Sequence, residues 1–216
     1  DVDVAKEIGK RLGVEVEFDT PSWDIITAGK WNGRWDLSVG SMTPTEARSE
    51  VLDFPTAYYF TPAAVAVHQD SAASDVSDIN GKRIGVCAAC TYELYLQKEL
   101  ENAAHGDPEF EYLVDAGEIR SYPTSAPAFD DLRLGDGVRL DALIDSMPAI
   151  LTAIENGYPL KIIGDPVFFE PLAVATDKGD AEFNDAIAHA VQDMRDDGTL
   201  TGLSEKWYGV DYTTTN

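Results

Sequence analysis

Residues 82–96 read KRIGVCAACTYELYL, and this stretch decides the fold class. The segment KRIGV at 82–86 is predicted to be a strand, and a helix is predicted from residue 92 to about residue 100. The same order of strand, polar turn and helix occurs in WDLSVGSMTPTEAR, residues 35–48, and in LDALIDSMPAI, residues 140–150. Strands that alternate with helices favour parallel sheets covered by helices. The sequence therefore predicts an α/β protein.

Hydrophobic periodicity and turn residues predict the other elements. Predicted helices lie at 2–12, 20–28, 146–156, 181–195 and 200–208, and predicted strands at 14–18, 35–39, 63–67, 82–86, 140–144, 160–163 and 172–175. Gly13 is expected to end the first helix and Pro21 to be the first helical residue of the second. Thr43 and Glu46 form a predicted capping box, with Pro44 at the first helical position. The segment Glu101–Gly117 is polar and predicted to be irregular.

Two βα units joined by two crossings predict two lobes with a cleft between them, each a mostly parallel sheet flanked by helices. The crossings are expected near the Ser/Asp-rich run 69–78 and at 164–171. Lobe 1 is predicted to contain residues 1–64 and 172–216, and lobe 2 residues 65–171. Because ligands of open α/β sheets bind beyond the carboxyl ends of the strands, the segments of interest begin at Gly40, Cys87 and Asp145.

Composition excludes several classes of function. The chain has 216 residues, with 39 Asp and Glu against 16 Lys and Arg, for a formal net charge of −23. Because a surface this negative repels nucleic-acid phosphates and anionic lipid head groups, neither a nucleic acid nor an anionic membrane is an expected partner. Hydrophobic residues make up 44% of the chain, enough for a packed core. Acidic residues spread along the whole sequence indicate a salt-loving source, with an ordinary acidic protein as the alternative.

The segment from Gly40 to Arg48 is a candidate anion site. Gly40 permits close approach to the backbone, Ser41 and Thr43 supply hydroxyls, and Arg48 is suited to a bidentate clamp on a carboxylate. The alternative is a capped surface helix with a solvated arginine.

Three further residues are candidates for the same ligand-binding site. Asp145, at a strand end, can accept hydrogen bonds from an ammonium group, and Thr91 can donate to a carboxylate. Trp23 can form an aromatic wall over a ligand side chain. The alternatives are helix caps for Asp145 and Thr91 and a core position for Trp23. Taken with Arg48, these residue types match an α-amino acid.

Six segments in this order resemble the amino-acid-binding solute receptors of ABC importers, the family that includes glutamine-, histidine- and lysine/arginine/ornithine-binding proteins. They are DVDVAKEIGKRLGVEVEF, SWDIITAGKWNGRWDLSVGSMTPTEAR, VLDFPTAYYF, INGKRIGVCAACTYELYL, LDALIDSMPAI and FNDAIAHAVQDMRDDGTLTGLSEKWYG. They cover nearly the whole chain apart from the region 101–120.

The resemblance implies a type 2 periplasmic-binding-protein fold and an extracytoplasmic receptor that closes its lobes around an amino acid and delivers it to a membrane permease. The implied ligand-binding residues are Trp23, Gly40, Ser41, Thr43, Arg48, Cys90, Thr91 and Asp145. The implied protein is a monomer without a cofactor or bound metal, tethered by an N-terminal lipid anchor outside this sequence.

Two features depart from the family pattern. Family members begin with a central strand and a loop before the segment that matches Asp1. Cys87 and Cys90 stand where many members carry Gly and Ser or Thr. A structural disulfide formed in an oxidising compartment is favoured for this pair. A thioredoxin-like redox site is the rival, although no aromatic-Cys-Gly-Pro-Cys motif is present. A zinc site is disfavoured, since the histidines show no ligand spacing.

Two other classes of protein share the implied fold: sensor domains of signalling receptors and enzymes similar to cyclohexadienyl dehydratase. An enzyme needs a general acid or base in the cleft. The ionisable residues that the sequence places there, Arg48 and Asp145, are both assigned to the zwitterion. The sequence therefore predicts a binding protein and no catalysis.

Overall fold

The computed structural model describes residues 1–100 and 111–214, and the chain divides into two compact units. Unit 1 comprises Asp1–Phe60 and Pro171–Asn216, and unit 2 comprises Thr61–Glu170. The lobe boundaries given by the sequence, 64/65 and 171/172, stay a prediction. Most of the segment predicted to be irregular, 101–117, lies outside the described residues, and its described part forms no helix or strand.

The described elements alternate between strands and helices. The helices are α1 (Val2–Leu12), α2 (Trp23–Thr27), α3 (Glu46–Ser49), α4 (Thr91–Gln97), α5 (Ser125–Leu132), α6 (Met147–Glu155), α7 (Ala181–Asp196) and α8 (Thr199–Tyr208), with a 3₁₀ turn at Val76–Ile79. The strands are β1 (Leu37–Met42), β2 (Leu52–His68), β3 (Arg83–Cys87), β4 (Glu118–Tyr122), β5 (Ala142–Ser146) and β6 (Leu160–Asp177). The α/β class predicted from the sequence is confirmed.

In unit 1, three helices pack over strand residues. Helix α1 ends as predicted at Gly13, which adopts the left-handed conformation with φ 72°. Its apolar face joins α7 and α8 in one core, to which the buried residues Val4, Ile8, Tyr58, Tyr59, Leu172, Val174, Ile187, Val191, Met194 and Leu200 belong. Strand β1 pairs antiparallel with β6, with Leu37 opposite Thr176.

In unit 2, β3 lies between β4 and β5 and is parallel to both, while β2 is antiparallel to β5. Both faces of this sheet are covered. Val65 and Val67 point into one apolar core, whereas Ala64 and Ala66 point into the other. A strand buried on both faces needs apolar side chains at every position, which explains the uninterrupted apolar run Ala63–Val67.

The strand predicted at 14–18 is wrong. Those residues form no ladder, and Val14 and Phe18 are more than half exposed. Alternating side chains satisfy a sheet only where a neighbouring strand accepts the backbone hydrogen bonds, and no described strand pairs with this segment. Val16 instead packs against α1, where a Cβ on Gly9 would overlap its Cγ2.

Two predicted helix starts are also wrong. Helix α2 begins at Trp23 after Ser22, so Pro21 precedes it. Helix α3 begins at Glu46, and its N-cap is Thr45, whose backbone is extended and whose Oγ1 accepts from the Arg48 backbone N–H at 3.2 Å. The predicted capping box of Thr43 and Glu46 is therefore absent.

The sequence also underestimated strand lengths. Strand β2 begins at Leu52, eleven residues before the predicted strand at 63–67, and β6 joins the two strands predicted at 160–163 and 172–175 into one. The border between the units falls inside β2 and at Glu170 of β6. The polar run 69–78 consequently lies within unit 2 and is not a crossing.

Candidate functional site

The predicted carboxylate clamp, Arg48, lies in unit 1 with its side chain buried. Its Nη1 donates to the carbonyl oxygen of Thr43 at 2.8 Å, and its guanidinium carbon lies 5.2 Å from the centroid of the Trp23 ring. Arg48 is 7% exposed and Thr43 1%. A guanidinium held against an aromatic face and a backbone carbonyl is positioned before any ligand arrives.

The strand end beside this arginine has an uncommon backbone. Ser41 adopts a φ of 54°, in the left-handed region that non-glycine residues rarely occupy. The hydroxyl of Tyr58 accepts a hydrogen bond from the Ser41 backbone N–H at 2.9 Å and donates to Asp1 Oδ1 at 2.8 Å. The Ser41 hydroxyl donates to the other oxygen of the same carboxylate. Gly40 is exposed, so its backbone is open to a ligand.

In unit 2, a disulfide closes the loop between β3 and α4. Cys87 and Cys90 are bonded, with Cα atoms 5.7 Å apart. Cys90 is the N-cap of α4, and Thr91 is its first helical residue. The backbone N–H of Ala89 donates to Glu93 at 2.6 Å. The disulfide favoured by the sequence is present, so neither sulfur is available in this state as a thiolate ligand of a metal.

A buried carboxylate that sequence reasoning missed lies next to Thr91. Glu170, near the middle of β6, is 3% exposed. One of its oxygens accepts a hydrogen bond from the Thr91 hydroxyl, and the other accepts from the Tyr92 hydroxyl at 2.6 Å. Burial and the Glu170 charge both raise the pKa of Tyr92 above its ordinary value.

Asp145 occupies the end of β5 and is 7% exposed. Its Oδ1 accepts from the Ser146 backbone N–H at 2.7 Å, and Ser125 also hydrogen-bonds to the carboxylate. Burial, together with the negative charge of Glu170, raises the pKa of Asp145 to about 6. An ammonium ligand would replace the hydration that this carboxylate has lost.

The predicted site residues thus divide between the units. Arg48 contacts both Trp23 and Thr43 in unit 1, and Gly40 and Ser41 belong to the strand end that precedes Thr43. Thr91 and Asp145 in unit 2 are linked through their interactions with Glu170 and Tyr92. The side chain of Cys90 is held in the disulfide. The roles assigned to all of these residues stay predictions.

A sequence signal for Glu170 existed. It is a single charged residue in the apolar stretch VFFEPLAVA, residues 167–175, and it lies in the segment 164–171 that the sequence predicts to be a crossing. A lone carboxylate in a run that is otherwise apolar requires hydrogen-bond partners if it is buried, and this could have marked it as a candidate.

Residues 1–100 and 111–214 contain no group of three or more His, Cys, Asp or Glu side chains arranged for a metal ion. This part of the chain also holds no helix with the length and apolar character that crossing a bilayer requires.

Comparison with known proteins gives a family. The model of the bacterial extracellular solute-binding proteins, family 3, matches residues 1–210. The chain belongs to this family. The L-cystine-binding protein TcyJ of Escherichia coli K12 is 28% identical over 216 residues, a match that covers 99% of this chain and 75% of the relative.

Solved structures with the same fold include binding proteins and an enzyme precursor. An ancestral arginine-binding protein bound to arginine is 29% identical with a TM-score of 0.79, over 96% of this chain and 87% of that one. An ancestral amino-acid-binding protein, a precursor of cyclohexadienyl dehydratase, is 28% identical with a TM-score of 0.78, over 96% and 84%. The type 2 periplasmic-binding-protein fold predicted from the sequence is confirmed.

Proposed function

We propose that this protein is an extracytoplasmic receptor for an amino acid, which it delivers to the membrane permease of an ABC importer. The observation that carries the proposal is the pair of buried, oppositely charged groups at the predicted positions, Arg48 in unit 1 and Asp145 in unit 2. A zwitterion needs a cation for its carboxylate and an anion for its ammonium group. Relatives named for binding cystine or arginine support the same class of ligand.

In this proposal, Arg48 binds the α-carboxylate. Its contacts with Thr43 and Trp23 fix the guanidinium in advance, so little side-chain entropy is lost on binding. The exposed Gly40 allows the carboxylate to approach the backbone beside the arginine. Trp23, which already carries the guanidinium on its ring, contributes the aromatic surface beside it.

Asp145 binds the α-ammonium group. Its raised pKa means that the ionised carboxylate is costly in the unliganded protein, and an ammonium ligand removes part of that cost. The closure of two lobes that the family resemblance implies stays a prediction, which X-ray scattering with and without ligand would test.

The experiment that tests the function is a thermal-shift screen in concentrated salt against the twenty common amino acids and L-cystine. Hits would be measured by calorimetry with the wild type, Arg48→Ala and Asp145→Asn. We expect one group of related amino acids to raise the melting temperature of the wild type, and both variants to lose the response. A screen in which no amino acid stabilises the wild type would refute the proposal.

We further propose that the bound amino acid is released unchanged. Binding proteins among the relatives support this, but one structural neighbour is a precursor of a dehydratase. Mass spectrometry of each hit after long incubation with the protein would detect loss of water or carbon dioxide. A product that accumulates beyond one equivalent of protein would show that the protein is an enzyme and would refute the proposal of unchanged release.

The remaining parts of the proposal concern the cellular setting. Location outside the cytoplasm is supported by membership of the extracellular family and by the disulfide. A lipid anchor, a monomeric state and a salt-loving source are predictions from the sequence. Light scattering in low and high salt would give the oligomeric state.

A further inference from the structure

We propose that Asn32 is a site of covalent modification, at which the side-chain amide converts without an enzyme to aspartate and isoaspartate through a cyclic imide formed with the backbone of Gly33. The inference is independent of the proposed function. It rests on a comparison of the three Asn-Gly pairs of the chain, which share one chemistry and differ in structure. They are Asn32-Gly33, Asn80-Gly81 and Asn156-Gly157.

The reaction depends on the backbone nitrogen of the residue that follows the asparagine. This nitrogen loses its proton and attacks the side-chain carbonyl carbon, and ammonia leaves as the succinimide ring closes. Water then opens the ring at one of its two carbonyls, which gives aspartate or isoaspartate. The overall change exchanges water for ammonia, so no oxidant or reductant is needed. A following glycine favours the attack, because it has no Cβ to crowd the nitrogen.

Two of the three pairs are held in arrangements that oppose this attack. The Gly81 N–H donates to the carbonyl oxygen of Asp115 at 2.7 Å, and Asn80 Oδ1 accepts from the Asp115 N–H at 2.8 Å. The Gly157 N–H, which follows α6, donates to the carbonyl oxygen of Ile154 at 2.9 Å. An N–H in such a hydrogen bond keeps its proton and points at its acceptor. The nitrogens of Gly81 and Gly157 are therefore poor nucleophiles in the folded protein.

The nitrogen of Gly33 is not held in this way. Asn32 and Gly33 are both exposed, and the Gly33 N–H has no hydrogen-bond partner among the described residues. A Cβ placed on Gly33 would meet no atom within 4 Å other than those of its chain neighbours, so the space around this backbone is open. The Asn32 side chain makes a local contact, from Nδ2 to the carbonyl oxygen of Lys30 at 2.5 Å. A contact this local opens together with the turn.

The turn that contains the pair can open without unfolding unit 1. Arg34 donates from its backbone N–H and from Nε to the carbonyl oxygen of Trp31, at 3.2 and 3.0 Å. The Asn32 N–H donates to Asp177 at 3.3 Å, and Asn32 has a φ of 55°, in the left-handed region. Exposed turns held by a few hydrogen bonds open at low free energy. The Gly33 nitrogen can therefore reach the side chain of Asn32 during local fluctuations.

The modification has a structural consequence. Isoaspartate adds a methylene group to the main chain, and either product adds a negative charge close to the Asp177 carboxylate. Trp31, the preceding residue, is fully buried, and its indole Nε1 donates to the carbonyl oxygen of Ile26 at 2.9 Å. A longer main chain at residue 32 conflicts with this fixed side chain, so conversion should lower the melting temperature of the protein.

The experiment measures the conversion of all three asparagines in one sample of the protein at mildly alkaline pH. Peptide mapping by mass spectrometry, with isoaspartyl methyltransferase as the probe for isoaspartate, gives the rate at each site. In the folded protein we expect Asn32 to convert at least tenfold faster than Asn80 and Asn156. In concentrated urea the hydrogen bonds that distinguish the three pairs are broken, so the three rates should become similar.

Two variants test the consequence for stability. Asn32→Gln keeps an amide, but its longer side chain cannot close the same ring, so the aged variant should keep its melting temperature. Asn32→Asp, measured when freshly prepared, has the new charge without the added methylene. It should melt above the aged wild type, because the main chain has not been lengthened.

The comparison of the three sites decides the inference. It is overturned if Asn80 or Asn156 converts as fast as Asn32 in the folded protein. It is also overturned if Asn32 stays intact in the folded protein while the same residue converts in urea. Should Asn32→Gln not fold, the wild-type rates still give the answer. None of these measurements involves an amino-acid ligand, so failure here leaves the proposed function standing.

Discussion

The guanidinium of Arg48 lies over the ring of Trp23, with the guanidinium carbon 5.2 Å from the ring centroid. The two residues come from different helices, α3 and α2, and the hydrogen bond from Arg48 Nη1 to Thr43 O fixes the guanidinium from another direction. A buried cation restrained from two sides is organised for an anion.

Replacement of Arg48 by alanine should reduce amino-acid affinity at least a hundredfold. Truncation of one partner of a buried charge pair costs about 2–5 kcal/mol, since the other charge is left uncompensated. Arg48→Lys should restore part of the affinity, because it keeps the charge and loses the bidentate fork. Calorimetry at neutral pH would measure both.

The control for the arginine variants is Arg133→Ala in unit 2. Arg133 also lies over an aromatic ring, that of Tyr158 at 5.0 Å, and pairs with Asp130, but both charged side chains are about half exposed. Its loss should leave affinity within a factor of two. An Arg48→Ala variant that binds as well as Arg133→Ala would contradict the carboxylate role.

Replacement of Trp23 by phenylalanine should weaken binding by up to about tenfold, with little loss of stability. Phenylalanine forms a weaker cation–π contact, which costs about 1 kcal/mol. The indole N–H of Trp23 is buried and has no hydrogen-bond partner among the described residues, so its removal relieves an unsatisfied donor. Calorimetry and thermal melting separate the two effects.

Trp35→Phe is the matched control for Trp23→Phe. Trp35 also has a buried indole N–H without a described partner, and Arg34 lies 4.7 Å from its ring centroid. The same chemical change at a tryptophan that contacts Arg34 and not Arg48 should leave affinity unaltered. Equal losses of affinity in the two variants would show that the effect is not specific to Trp23.

The sequence predicted elements well where one segment contains all the determinants. Gly13 ends α1 because its own backbone adopts the left-handed conformation. The strand, turn and helix around Cys87 are all encoded within the 15 residues 82–96. Errors appeared where a distant partner decides the outcome. The alternation at 14–18 predicts a strand, but a ladder also needs a neighbouring strand, and the described residues supply none.

The candidate site shows the same limit. Thr91 and Asp145 were found because one lies at a predicted helix start and the other at a predicted strand end, and Arg48 because it lies in the short helix that follows a predicted strand. Glu170 was missed because its significance depends on hydroxyls nearly 80 residues away in sequence. Likewise, the direction of the Thr91 proton cannot be deduced from a helix start, since it depends on which acceptor lies beside it.

Asp145 should make the unliganded protein less stable as the pH rises from about 4 to 6. The pKa of this carboxyl is about 6 in the folded chain and 3.8 ordinarily, so the folded state holds the proton more tightly. The stability that Asp145 contributes is fully present below the ordinary pKa of 3.8 and is lost as the pH rises through the folded-state pKa of about 6. The total loss of folding free energy is about 3 kcal/mol. Asp145→Asn should therefore stabilise the unliganded protein at pH 7.5 and change little at pH 4.

Urea unfolding across this pH range would measure the free energy of unfolding of the wild type and of Asp145→Asn. The control is Asp141→Asn, which should change this free energy in the opposite direction. Burial opposes ionisation of Asp141, but hydrogen bonds from Arg83 outweigh it and the pKa is lowered. Its stabilising contribution is present above the ordinary pKa and is lost on acidification. Asp141→Asn should thus be destabilising at pH 7.5. If both variants shift stability in the same direction, the account of Asp145 is wrong.

The disulfide between Cys87 and Cys90 should contribute modestly to stability and nothing to redox catalysis. It closes a loop of four residues, for which the chain-entropy relation gives about 2 kcal/mol. Cys87→Ser/Cys90→Ser should lower the free energy of unfolding by about that amount in urea, and reduction of the wild type with dithiothreitol should reproduce the loss. Because the loop precedes Thr91, both treatments should also weaken amino-acid binding by a few-fold. In an insulin-reduction assay we expect no turnover, and sustained turnover would revive the thioredoxin-like alternative for this pair.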